Sequence, residues 1–352
     1  LVTLAEKMQI SSGEHKGQFY KKWADYKKHE EKHTQKKPYQ PDTNMVEFCM
    51  RGATVLWQRR EFYQKELPGK LSKRIRTIMS NSFRAVKHKH WAGENGQKPV
   101  YRDTPPKYTN VYLLNILNLI LLGNILGIPD LITTGYRRFD QFMLYTWEWG
   151  IHEYCSPIYT GIQLNTVALI ERFGLERRKS AKALLEFYWT YIVTNWIWEQ
   201  KRMGGTNSRQ PKDFMENAGR LDYILALLTG RENLSSLRII TAFTALSRWR
   251  PSHSLLEAAW EHNMVRHSWG PSAEQSRVHH LYKDITLSVS GSKFDLIFDG
   301  RHGQDMPLKV DLRHYREVEE KKIRDLFEKL SDQPEEAKEL EDAIVEYLFE
   351  KS

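Results

Sequence analysis

Between Gly150 and Gly161 the chain gathers side chains that can move protons: His152, Glu153, Tyr154, Ser156 and Tyr159 fall in one short stretch. Imidazole, carboxyl and phenol groups act as general acids and bases when a cleft holds them within hydrogen-bond reach of a substrate. Gly150 and Pro157 punctuate the stretch, so it reads as a junction between two helices that Pro157 keeps non-helical. Polar groups fixed at such a junction can be aimed into a cleft. They can equally be structural, with Glu153 and Ser156 capping helices while the tyrosines pack.

A second constellation is His262-Asn263 with His267, followed by His279-His280. Histidine pairs bind metals, but no His-Glu-x-x-His helix is present and carboxylates at ligand spacing are missing, which argues against zinc. There is no P-loop, and the Gly204-Gly205 pair lacks the preceding strand that a dinucleotide fingerprint needs. The expectation is a protein without cofactor or metal. Cys49 and Cys155 stand alone in apolar surroundings, with no zinc or redox spacing.

These residues need a scaffold, and the hydrophobic periodicity supplies helices almost throughout. Phe19, Trp23 and Tyr26 lie at i, i+4, i+7 within 14–33, ringed by Lys21, Lys22, Lys27, Lys28 and Lys32. The pattern predicts a basic amphipathic helix, whose stripe docks on the rest of the fold or on a membrane or nucleic acid. Further helices are expected over 44–66 and 70–87, then a long loop over 88–107. The apolar run 111–122, broken by Asn115 and Asn118, is too short and too polar for a membrane span and reads as a buried helix. Gly127-Ile128-Pro129-Asp130 is a tight link to a helix over 131–149. Another helix ends at Phe173, and one over 178–198 carries Ala181, Leu184, Tyr188, Tyr191, Asn195 and Trp198 on one face. A Gly-rich loop over 201–211 precedes helices over 212–228, 234–247 and 254–264. From Tyr282 short strands are expected at 285–289, 293–298 and 308–312, then helices over 315–330 and 334–349. The result is a mostly α chain of antiparallel helical hairpins, with a helical domain over 1–280 and a small β segment plus C-terminal helices over 281–352. Hairpins of this kind close a toroid, build a bundle or stack as an open solenoid.

The segment Gly150-Ile151-His152-Glu153-Tyr154-Cys155-Ser156-Pro157-Ile158-Tyr159, continued by Thr160-Gly161-Ile162-Gln163-Leu164, carries a resemblance. With Tyr108-Thr109-Asn110-Val111, Leu121-Leu122-Gly123-Asn124-Ile125-Leu126-Gly127, and Gly204-Gly205-Thr206-Asn207-Ser208-Arg209, it resembles the toroid half of heparinase II/III-like and alginate-lyase-like proteins. Gln304-Asp305-Met306-Pro307-Leu308 is more faintly similar to an opening strand of the β-sandwich that follows that toroid; the match spans roughly 108–312. The resemblance implies an α/α toroid whose cleft accepts a sugar chain, with an extracytoplasmic location. It also implies a polysaccharide lyase that cleaves a uronate-containing glycan by β-elimination. In such chemistry a polar group neutralises the uronate carboxylate, a Tyr or His takes the C5 proton, and a Tyr protonates the leaving oxygen. Carried onto this chain, Asn110, His152 and Arg209 are candidates for carboxylate binding, and Tyr159 and Tyr154 for base or acid. Arg209, Asn207, Glu153 and Trp149 are candidates for substrate binding. Each also has a structural reading: Arg209 can pin its own loop, Asn110 can cap the Val111 helix, and His152 can be an ordinary satisfied histidine. The chain departs from the family after residue 280, where two charged helices replace most of the sandwich. A truncated chain, a reduced enzyme and a toroid that binds without catalysis all fit that departure.

Composition keeps these options open. A 40% hydrophobic, 28% charged chain of 352 residues is that of a folded protein with a core of its own. Eleven Trp and 17 Tyr suit a sugar-binding groove as well as a core. The net charge of +9 favours an anionic partner or simply a solvated basic surface. The expected partner is an anionic polysaccharide or oligosaccharide rather than nucleic acid, since no recognition motif accompanies the basic residues; the oligomeric state stays open. A glycoside hydrolase would need two facing carboxylates, for which Glu153 with Asp140 or Asp213 is the pair to test. A non-catalytic glycan- or protein-binding toroid is the third reading. The chain begins at Leu1 with no initiator Met or signal peptide, as it would if a presequence had been removed or left out.

Overall fold

The computed structural model describes residues 2–12, 15–22, 26–27, 42, 44–61, 70–88, 105–151, 157–197, 202–203, 246–257, 264–268, 276–281, 285–290 and 308–312. These residues are mostly helical. The helices are α1 (Val2–Met8), α2 (Met45–Gln58), α3 (Lys70–His88), α4 (Thr109–Leu126), α5 (Pro129–Trp149), α6 (Pro157–Phe173), α7 (Arg178–Thr194) and α8 (His253–Glu257). Strands β1 (Trp196–Ile197) and β2 (Arg202–Met203) form a small hairpin, and β3 (Met264–Ser268), β4 (Ser276–Leu281), β5 (Ile285–Ser290) and β6 (Leu308–Leu312) an antiparallel meander in sequence order. The chain divides into two compact units, Leu1–Leu144 with Leu169–Ala181, and Tyr145–Ala168 with Lys182–Ser352.

The first unit is organised around α4, which is apolar on every side and buried through its first four turns. A helix of that pattern must be surrounded; by length and composition it could cross a membrane, yet 83% of its most apolar window is buried within the protein. Two of its asparagines have a use. Asn115 and Asn118 each donate through Nδ2 to the buried carboxylate of Glu47, both at 2.7 Å, and the same amides also reach the Val86 and Glu47 carbonyls. Glu47 stands in the first turn of α2, where the helix dipole favours an anion. This cluster ties α2 and α3 to α4 within an apolar core that includes Val46, Met50, Ile75, Met79, Leu119 and Leu122.

The link from α4 to α5 follows its sequence. Gly127 takes a left-handed conformation (φ 73°), and the Ile128 N–H bonds the Gly123 carbonyl at 2.8 Å, the longer of the two bonds of a Schellman stop. Pro129 then opens α5 as its first residue, with Asp130 beside it. The two helices run antiparallel and very close. A Cβ on Gly135 would lie 2.7 Å from Ile120 Cγ1, and one on Gly123 2.6 Å from Ile132 Cγ1, so both contacts require glycine.

Several sequence expectations need correction. Residues 15–22 are not helical: Phe19 is bridged to Gln9 and buried in the core, while Gly17 turns with φ 88°. The docking half of that expectation therefore holds for Phe19, though by an extended arm; Gln9 Nε2 donates to the Ile78 carbonyl and to Ser82 Oγ on α3. Pro157 does not keep 157–160 non-helical, since it is the first residue of α6; residues 152–156 lie outside the described residues. The helix over 178–198 stops at Thr194, Asn195 lies in a turn and Trp196 begins a strand. The β region starts at Met264, before Tyr282, and the helix expected over 254–264 is described only as α8. The expected strand at 293–298, the helices over 212–228 and the C-terminal helices lie outside the described residues, as does most of 234–247.

Cys49 on α2 shows what burial does to a titrating group: desolvation pushes its thiol up to about 11. At pH 8 only about one thiol in a thousand would be ionised, so in a Cys155→Ser variant the remaining, partly buried cysteine should react with a disulfide reagent about a hundredfold more slowly in the folded than in the unfolded protein. Because the folded thiol holds its proton longer than the unfolded one, this contribution is fully present below pH 9 and is lost as the pH rises through about 11. A rapid reaction at pH 8 under native conditions would contradict this.

Candidate functional site

The second unit carries a seam of polar groups inside an aromatic core. On α7, Tyr188 and Tyr191 stand one turn apart, and Asn195 follows a turn later at the helix end. All three are buried, among Leu184, Leu185, Trp189, Ile192 and Trp196. The Tyr188 hydroxyl donates to Gln163 Oε1 on α6 at 2.8 Å. Gln163 is itself buried and sits one turn after Tyr159.

At the other end of the seam the sheet meets the helix. His279, wholly buried on β4, contacts Asn195 Oδ1 through Nδ1. Asn195 Nδ2 donates to the Tyr191 carbonyl at 2.7 Å, which fixes the amide and leaves Oδ1 as acceptor. His279 Nδ1 must then carry the proton, so Nε2 is the basic nitrogen of the neutral ring. A neutral imidazole in that tautomer can accept a proton at Nε2. The same bond also docks the sheet on α7. A cycle of Asn195→Ala, His279→Ala and the double variant should show a coupling of about 1–2 kcal/mol in unfolding free energy. A coupling near zero would mean that the contact does not hold the sheet.

The candidate residues read from the sequence are placed as follows. Asn110 belongs to the first unit, in the first turn of α4, and is 3% exposed. It does not cap that helix, because Tyr108 occupies the cap position and its hydroxyl accepts from Asn44 Nδ2 at 3.0 Å. Tyr159 and Trp149 belong to the second unit, half-buried, Tyr159 in the first turn of α6 and Trp149 at the end of α5. His152, Glu153, Tyr154, Asn207 and Arg209 lie outside the described residues. Asp140, one member of the hydrolase pairing, accepts two bonds from Arg177 at 2.9 and 2.8 Å in the first unit; Asp213 is outside the described residues.

In the sequence, Tyr188, Tyr191 and Asn195 mark only a helix face, His279 suggests only metal binding, and nothing assigns Gln163 a role; the signal is an amide or phenol recurring every turn on the otherwise apolar face of α7. Close by, a shallow depression open to solvent is lined by Ala168, Leu185, Trp189, Ser247, Trp249, Arg250 and Pro251, with room for little more than a water molecule, so it is not a sugar-chain cleft.

The sequence profile of a family described as "Domain of unknown function (DUF8769)" matches residues 4–269. The chain belongs to the DUF8769 family. Its match takes in α1 to α8 and β3, so the Tyr159–Gln163–Tyr188–Asn195 side of the seam is within the family domain and His279 beyond the matched span. No curated protein and no solved structure matches the chain.

Proposed function

We propose that this DUF8769 protein is carbohydrate-active, an α/α toroid of the heparinase II/III-like kind that cleaves a uronate-containing glycan by β-elimination. The observation that carries the reading is Tyr159, a half-buried phenol in the first turn of α6 and one turn before Gln163, where a buried seam of phenols, carboxamides and an imidazole begins. These are the functional groups the reaction needs. A carboxamide or cation neutralises the uronate carboxylate and acidifies the C5–H bond; His152 and Arg209 are assigned that part. A phenolate or imidazole takes the C5 proton, the C5 electron pair forms the C4–C5 double bond, and the C4–O bond breaks. The leaving oxygen takes a proton from a phenol, so charge and atoms balance without a cofactor. Tyr159 and Tyr154 are assigned to proton transfer. The tight α4–α5 hairpin and the Tyr188-to-Gln163 bond between α6 and α7 support a fold of paired helices.

One observation favours a second reading, a toroid that binds glycan without cleaving it. His279 is wholly buried, while Trp147, 56% exposed and set edge-on to Phe187 at 5.0 Å, offers a sugar-sized platform. The experiment that separates the two is absorbance near 232 nm, where an unsaturated uronate absorbs, on alginate, heparan, chondroitin and pectate. A rise with one of them supports the lyase. No rise together with saturable binding to one of them replaces it by the binding reading.

A further inference from the structure

α3 is the most one-sided surface in the described part of the chain. Its 19 residues hold six Lys or Arg and no Asp or Glu. Two of the six are engaged: Arg74 by a two-pronged bond to Glu6, and Lys87 at 4.0 Å from Asp130. Lys70, Lys73, Arg76 and Arg84 are exposed and form no ion pair with a described carboxylate. Lys70, Lys73, Thr77, Ser80 and Arg84 all point to one face by the 3.6-residue period, and all are exposed. The row spans about 21 Å along the helix axis. Arg76 flanks it, held over the Trp57 ring at 6.0 Å, with Arg60 over the same ring at 5.0 Å.

We infer that this face of α3 is a docking strip for an anionic polysaccharide, separate from the seam of the second unit. The inference rests on the reading of the chain as a glycan-handling protein. A straight row of cations interleaved with hydroxyls matches a polymer with one anionic group and several hydroxyls per ring. Single-stranded nucleic acid would call for open aromatic faces on which bases stack, and the aromatic ring beside the strip, Trp57, is already engaged by two guanidinium groups. The opposite face of α3 is packed through Ile75, Ile78, Met79 and Val86, which fixes the strip outward.

The test is binding of fluorescent polyuronate and heparin oligosaccharides to the full chain by anisotropy, across a salt series, independent of any cleavage. The variant K70Q/K73Q/R76Q/R84Q should bind about tenfold or more weakly at 0.1 M salt, and its salt slope should fall by about 3. The control K107Q/R137Q/K179Q/K182Q, which removes equal charge from exposed positions elsewhere, should keep most of the affinity. Melting curves of both check that the fold is intact. Equal losses in the two variants, or none in the strip variant, would overturn the inference, as would tighter strip-dependent binding of single-stranded RNA or anionic vesicles. Binding without absorbance at 232 nm would leave the strip standing and remove the lyase. Absorbance with strip-independent binding would do the reverse.

Discussion

Replacing Glu47 by Ala should lower the unfolding free energy by about 3–4 kcal/mol, the largest stability effect expected from a single polar residue among those described. The carboxylate is buried, and two carboxamides converge on it. Truncation removes two charge-assisted bonds at once and leaves a cavity in the core. Asn115 and Asn118 keep their bonds to the Val86 and Glu47 carbonyls, which limits the damage to one N–H on each. Glu47→Gln should cost about half as much. Its oxygen can still accept from one asparagine, but its own NH2 then faces the donor of the other. The triple replacement Glu47→Leu, Asn115→Leu, Asn118→Leu should recover much of the loss, since an apolar set of suitable volume needs no partners. Denaturant midpoints of the four proteins decide the matter; a Glu47→Ala protein within 1 kcal/mol of the parent would show that the network is not a keystone of the first unit.

That cluster also shows what a sequence can and cannot reveal. Two asparagines inside an apolar run announce that something polar lies within the core, because an unpaired amide there is costly. They do not say what it is. Glu47 is far from them in the chain, and an acidic residue near a helix start has an ordinary explanation in the helix dipole. The link punctuated by glycine and proline was legible at Gly127-Ile128-Pro129-Asp130, where local chemistry sets the backbone, though the helix begins at Pro129 and not at Leu131. Pro157 was misread by the same logic, since proline opens a helix as readily as it ends one, and the difference lies in what precedes it. In the arm, the spacing of Phe19, Trp23 and Tyr26 fitted a helix; it fails over 15–22, where Gly17 sits so that a Cβ would come 2.2 Å from the Asn81 carbonyl oxygen and tertiary contact overrides the period, while Tyr26 and Lys27 are helical as expected. The early strands were hidden because Met264-Val265-Arg266-His267-Ser268 and Ser276-Arg277-Val278-His279-His280 hold few of the β-branched residues that mark a strand. The seam was legible only as a face of α7; its partner on β4 depends on pairing that no local pattern encodes.

Tyr159→Phe should lower kcat by a factor of about 10²–10⁴ on whichever uronate polymer the parent cleaves, with KM little changed. The hydroxyl is the only atom removed, so a loss confined to kcat means that it acts in the transition state rather than in binding. Tyr159 is suited to that part by its place: half-buried in the first turn of α6, it is reachable by solvent, unlike Tyr188 and Tyr191. Tyr188→Phe provides the contrast. It deletes a bond to Gln163 within the core and should cost about 1 kcal/mol of stability while leaving kcat within a few-fold. If Tyr159 is the base, the parent's kcat should rise with pH as the phenol ionises, and that limb should disappear from the variant's residual activity; if it is the acid, the alkaline limb falls instead. A variant that retains full turnover and both limbs would remove Tyr159 from the chemistry and shift the assignment to Tyr154 or His152. A parallel fall in kcat and thermal stability would instead make Tyr159 a brace for α6, the role its buried neighbour Gln163 already has.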